Sequence, residues 1–362
     1  MKEYKNIINI KTIFITISVI ILFLNVIYSL ETYTSRGRSI GDSFVSYSLG
    51  VEALVYNPAA SYYIESPEIL VEYENLLPSI RKSLSLNRQL LGGVIPVNLK
   101  SDKLCIGLSL AQFNSEIYKE NIYYALVSKD ITPLLLKVPS KDIKVSLGIK
   151  LKYLSFLYPS SELLSSDPLF ENFGREKSVF SFDLGVFYTT KDIYHYGLVI
   201  NDVLEPNVGI KDISYLKRRV LLGFAYKHNI TDKNITLLPS LGVRNYFNRT
   251  DISFGCEVIY KNSYFLRGTY SNWNVAVGVG YEYKNLVQIN YSYVILNELN
   301  TFGGHYVSLN YKFSKPTKEK KISNEVKIEE KKQQPTTTLE IKSSTETKTQ
   351  TDKKTLGDKK TK

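Results

Sequence analysis

The sequence predicts an all-β fold, an antiparallel transmembrane β-barrel of about fourteen strands with an N-terminal luminal segment and a disordered C-terminal tail. Three observations lead there. Apolar and polar residues alternate with period two through most of residues 69–313. On several strands the polar partners are Gly, Ser, Ala and Asn, small groups suited to a crowded lumen rather than to a water-washed sheet. Beyond one apolar run near the N-terminus no segment reaches eighteen apolar residues, so a body placed in a membrane must cross it as strands.

The elements follow in order. Lys2, Lys5 and Lys11 precede the apolar run Ile13–Ile27, and Tyr28 and Ser29 follow. A basic flank, a short apolar stretch and a small residue after it describe a secretory signal peptide over residues 1–29. An uncleaved anchor over Ile7–Leu30 is the second reading. Residues 30–65 then form a plug or lead-in segment, and the barrel occupies 66–314.

Within the barrel, Ile143, Val145, Leu147, Ile149, Leu151 and Tyr153 alternate with Lys144, Ser146, Gly148, Lys150 and Lys152. Val275, Val277, Val279, Tyr281 and Tyr283 alternate likewise with Ala276, Gly278, Gly280 and Glu282. Successive strand side chains point to opposite faces, so each segment is a two-faced strand. The predicted strands are 69–76, 81–97, 103–113, 117–128, 142–157, 177–190, 193–201, 217–227, 235–246, 250–260, 262–271, 273–283, 286–296 and 304–313. Lys261-Asn262-Ser263, Asn272 and Lys284-Asn285 between them are tight-turn chemistry and imply sequential hairpins. Residues 158–176, with Pro159 and Pro168, read as a long loop. If the strands start and end in the periplasm, that loop and 202–216 face outward.

A secreted β-sandwich would alternate too. The long apolar faces, the 28 tyrosines available for interfacial girdles and the terminal aromatic Phe313 favour the outer membrane, with its lipid as a partner.

Charge excludes one class of partner. Residues 1–29 carry net +2 and residues 315–362 net +6, leaving +3 of the total +11 for the body between. No broad nucleic-acid footprint remains. The tail, rich in Lys, Thr, Glu and Gln and devoid of aromatics, is expected to be disordered, either simply solvated or bound to an anionic periplasmic surface.

Catalysis finds no support. His195, His228 and His305 are scattered, and neither GxSxG nor HExxH occurs. Cys105 and Cys256 lack metal-ligand spacing and read as buried free thiols, with one long-range disulfide as the other reading. No enzyme, metal or cofactor is expected. The three N-x-T triplets at Asn229, Asn234 and Asn248 read as chance in an Asn-rich chain.

The segment Gly37-Arg38-Ser39-Ile40-Gly41-Asp42-Ser43-Phe44-Val45, followed by Glu52-Ala53-Leu54-Val55-Tyr56-Asn57-Pro58-Ala59, resembles the lead-in of the PorV/PorQ family of outer-membrane barrels, related in architecture to FadL-type transporters. Body pieces follow in that family's order, among them Phe182-Asp183-Leu184-Gly185-Val186, Leu266-Arg267-Gly268-Thr269-Tyr270 and the closing His305–Phe313. Asp42 and the tail beyond Phe313 depart from it.

The resemblance implies participation in protein secretion or surface attachment, as a type IX secretion shuttle, with secreted cargo or other secretion components as partners. Uptake of hydrophobic small molecules in the FadL manner is the alternative, and a secreted structural β-protein a third. The site residues expected are Arg38, Gly41, Asn57, Pro58 and Ala59. Asn57 before Pro58 suits a turn. The segment is either a luminal plug or gate or a structural turn, and in both cases Arg38 is placed near a carboxylate such as Glu52 or Asp183.

Overall fold

A sheet of alternating strands leaves two unpaired edges unless it closes on itself, and closure is what the chain achieves. The computed structural model describes residues 32–76, 78, 86–99, 102–136, 142–160, 168–246, 249–272, 274–296 and 303–313. The signal peptide and tail expected from the sequence lie outside the described residues.

The described chain is an antiparallel meander of β1 (Glu68–Asn75), β2 (Asn87–Asn98), β3 (Lys103–Asn114), β4 (Lys119–Asp130), β5 (Ile143–Leu157), β6 (Glu176–Thr190), β7 (Tyr194–Asn201), β8 (Arg219–Tyr226), β9 (His228–Ile230), β10 (Ile235–Tyr246), β11 (Arg249–Tyr260), β12 (Tyr264–Ser271), β13 (Asn274–Tyr283), β14 (Val287–Leu296) and β15 (Gly304–Lys312). Both β8 and β9 pair with β10, so they are two halves of one strand and the wall has fourteen. The interruption lies opposite Leu238 and Pro239, and proline has no N–H to give a ladder. The pairing of β15 with β1, from Glu68 opposite Lys312 to Asn75 opposite His305, closes the barrel.

Strand boundaries agree with the sequence reading to within a few residues. The largest difference is β2, expected from 81 and found from Asn87, with 81–85 outside the described residues.

The faces are inverted relative to a soluble protein. Ile252 and Phe254, Val277 and Val279, and Val307 and Leu309 are exposed on the outside, while Glu257, Asn290 and Ser308 between such positions are buried within. Exposed Tyr194, Tyr260, Tyr264, Tyr281, Tyr283 and Tyr311 gather near one rim, where amphipathic rings settle at a membrane interface. Cys256 is exposed beside Phe254 and Ile252 on this outer face, correcting the expectation of two buried thiols. Cys105 is buried, and both cysteines are free. Ile143 and Val145 are likewise not open to lipid, because Ile131 and Leu136, flanking a short helix at Thr132–Leu135, cover them.

Three hairpins turn on two residues, Lys191-Asp192, Lys261-Asn262 and Lys284-Asn285, each with φ between 50° and 56°. Both central residues in the left-handed region are the mark of a type I′ turn, whose twist matches that of the strands. These turns share the end at which β1 starts and β15 finishes. The connections from β5 to β6 and from β7 to β8 leave from the other end. Short turns face the periplasm in such barrels, so the strand termini are periplasmic and those two connections extracellular.

Val277, 56% exposed on the outer wall, provides a test of facing. Val277→Arg is expected to reduce insertion, because a lipid-facing arginine near the midplane costs about 2–4 kcal/mol. The folded, heat-modifiable band after refolding into lipid should drop sharply for this variant and not for Val277→Ala.

Candidate functional site

Residues 34–64 fold inside the barrel as a chain of short turns, the first and last of them capped by a side chain. Thr34 accepts a hydrogen bond from the Gly37 amide and caps the short helix Ser35–Arg38, while the Glu72 carboxylate on β1 accepts from the Ser35 amide at 2.9 Å. Gly41 (φ 83°) and Gly50 (φ 98°) occupy the left-handed backbone that glycine tolerates and lead into 3₁₀ turns at Asp42–Ser46 and Val51–Leu54. Asn57 caps a third turn, Pro58–Tyr63, accepting from the Ala59 amide at 3.1 Å, with Pro58 in the first turn where its missing N–H costs nothing. Phe44 packs edge-on against Tyr47 and Tyr56 at 5.3 and 4.9 Å. Ile40, Val45, Val51 and Leu54 share a buried core with Leu70, Leu90, Val94 and Leu221 of the wall.

Glycines on the inner wall let this segment approach. A Cβ at Gly148 or Gly185 would land on Pro58 and its neighbours, one at Gly197 on the Val45 carbonyl, and one at Gly242 on the Ser43 amide. A Cβ at Gly223 would lie 2.8 Å from the Ser43 oxygen. These positions are therefore occupied by plug backbone rather than by open lumen, and even serine at 278 would meet Ser39.

Charged groups fasten the segment on several sides. Arg36 binds Glu52 at 3.2 Å and Glu257 of β11 at 2.9 Å. Glu257 is also held by Arg267 at 2.6 Å, and Arg267 donates to Asn290, which donates to Ser308. Burial alone would lower the Arg36 guanidinium, but Glu257 and Glu52 outweigh it and hold it above its ordinary value, so it stays charged. Burial pushes the Tyr56 hydroxyl well up, keeping it a neutral donor. Across the lumen Lys150 donates to the Val55 carbonyl at 3.0 Å and pairs with Asp183, which Lys152 shares with Asp202. On a third side Asp42 meets Arg244 at 3.4 Å, and Ser43 bonds Ser240.

The five residues expected from the sequence all lie in this segment, but they do not converge. Asn57, fully buried, donates to the Val45 and Val186 carbonyls. Pro58 and Ala59 lie beside it against Gly148, with the Ala59 carbonyl accepting from Ser146. Gly41 sits near Ser253 and Thr269. Arg38 lies 3.9 Å from the Tyr33 ring centre and donates to the Tyr306 hydroxyl at 3.4 Å. The carboxylates expected for Arg38 are engaged by other cations, Glu52 by Arg36 and Asp183 by Lys150 and Lys152. Arg36, Glu72, Glu257 and Arg267 escaped the sequence reading. Their signal was present, since Glu72, Glu257 and Arg267 are charges at inward-facing strand positions, where each needs a partner.

Two cavities of mixed polar and apolar lining flank the segment. One of about 710 Å³ at the periplasmic end is lined by Glu52, Glu68, Gln288, Asn310 and Lys312 among others. The other, about 40 Å³, lies beside Thr32, Asp183, Asn201 and Arg219. Among the described residues no group of three or more His, Cys, Asp or Glu could hold a metal ion.

Comparison with known proteins decides what kind of barrel this is. A family model described as type IX secretion system membrane protein PorP/SprF matches residues 47–343. The chain belongs to the PorP/SprF family. This places the PorP/SprF barrel in the outer membrane, while the more specific PorV/PorQ assignment is not shown by the match. A comparison with curated protein sequences found no match. Among solved structures, the Ralstonia pickettii toluene transporter TbuX is similar at 11% identity and TM-score 0.53, covering 79% of this chain and 100% of that one. A Pseudomonas aeruginosa FadL homologue is similar at 12% identity and TM-score 0.48, with the same coverage. At such identities the likeness to TbuX shows the fold alone.

Proposed function

We propose that this barrel is a plugged, non-catalytic component of a type IX secretion pathway, taking part in protein secretion or surface attachment by engaging secreted cargo or other secretion components. The observation that carries the reading is the PorP/SprF match over residues 47–343, which spans most of the plug and the whole barrel. The plug supports it: the lumen is filled by residues 34–64 and fastened by buried ion pairs, which suits a barrel that works through its surfaces and its plug rather than as an open pore.

The fold is also that of a structure named a toluene transporter, which keeps hydrophobic uptake as a second reading. Against it, the cavities beside the plug set Glu, Asp, Lys, Arg and Asn among apolar side chains such as Ile64, Phe265 and Val55, so an apolar solute entering them would strip water from charged groups. Purification from outer membranes in mild detergent tests the choice. Copurification of secretion proteins is expected; recovery of hydrophobic small molecules with no protein partner would favour uptake.

A further inference from the structure

At the periplasmic end the plug stops short of the rim and leaves the cavity of about 710 Å³, within the size range of ligand pockets. One wall is a row of inward positions on neighbouring strands, Glu282 opposite Gln288 and Gln288 opposite Asn310, with Glu68 opposite Lys312 near the mouth. The plug supplies the floor through Leu49, Gly50 and Glu52.

What this cavity offers a visitor is hydrogen-bond acceptors. Asn310 is 4% exposed, yet its Oδ1 has no hydrogen-bond partner, and a buried acceptor left so costs about 1–3 kcal/mol until a donor reaches it. Glu68 takes the Val51 amide through one carboxylate oxygen at 2.8 Å. Of the cations that line it, Lys312 binds Glu282 at 3.2 Å, Arg36 binds Glu52 and Glu257, and Lys284 lies over the Tyr283 ring at 5.1 Å. A lipid phosphate would face the Glu68 carboxylate and be repelled; a cation would be drawn to it.

We infer that the cavity is a docking site for a lysine or arginine side chain presented by a peptide segment of a periplasmic partner protein. The inference rests on the secretion reading above, since that reading supplies a protein partner. Glu68 provides the charge, Asn310 Oδ1 the second acceptor, and the aqueous mouth at the strand termini the approach.

The test is isothermal titration calorimetry of the detergent-purified full chain with tri-lysine amide, with tri-glutamate as control. One-site binding of tri-lysine amide is expected, weakened at least tenfold by Glu68→Gln and by Asn310→Ala and unchanged by Glu171→Gln in an extracellular loop. Heat-modifiable mobility on a gel establishes that each variant is folded. Absence of binding, equal binding of tri-glutamate, or unaltered binding in both cavity variants would overturn the site. Tighter binding after truncation at Phe313 would overturn the partner assignment, because the chain's own basic tail would then be the occupant. Tri-lysine binding without copurifying secretion proteins would leave the site standing and remove the functional reading instead.

Discussion

Arg36→Ala is expected to destabilise the seated plug by about 3–5 kcal/mol, the cost of removing one partner from a buried ion pair. Glu257 is 0% exposed and cannot turn to water when the guanidinium is gone, while Glu52, 1% exposed, borders the periplasmic cavity. Arg267 still holds Glu257 at 2.6 Å, and Thr34 still donates to Glu52 at 3.2 Å; the loss therefore falls short of two naked charges. Arg38→Ala, two residues along the same helix, loses the ring contact with Tyr33 and the 3.4 Å hydrogen bond to the Tyr306 hydroxyl and is expected to cost less than Arg36→Ala. Thermal unfolding in detergent, followed by circular dichroism, should show a clearly larger fall in Tm for Arg36→Ala, and trypsin should then reach Arg36–Arg38 region sites only in destabilised variants. Equal shifts for the two would remove Arg36 from its role as the principal latch.

Deleting residues 37–59 is the larger perturbation, and it is expected to leave a barrel. The fourteen-strand ladder closes through β1 and β15 with no contribution from the plug. Water entering the lumen would solvate Glu257, Lys150, Lys152 and Asp183, so their burial no longer has to be offset by pairing. The cost lies on the apolar part of the inner wall. Leu70, Leu90, Val94 and Leu221 lose their cover, at up to about 1.5–3 kcal/mol each. Folding should therefore persist with a lower Tm, read from the heat-modifiable band and its melting.

The wall was legible in the sequence because period two is a local signal: Val275–Tyr283 against Ala276–Glu282 fixes both a strand and its facing. The tight turns were legible for the same reason. Plug contacts were less so, because they join residues far apart in sequence. Gly37–Ala59 could be recognised as a unit, and Asn57-Pro58 as a turn within it, but Arg36 and Arg38 lie on one short helix and only the three-dimensional register of β11 and β12 selects Arg36 for Glu257. Gly148 reads as a small lumen residue; that it abuts plug backbone became visible only with the plug in place. The cover that Ile131 and Leu136 give Ile143 was likewise hidden, since it comes from residues flanking a short helix outside the strand pattern.

Single-channel current in planar bilayers tests most directly the claim that residues 34–64 close the barrel. The intact protein is expected to insert and stay silent, a deletion of residues 37–59 to show steady open-channel current, and a truncation after Phe313 to behave as the intact chain. A deletion that inserts and remains silent would contradict luminal closure by the plug, as would an intact protein that conducts freely.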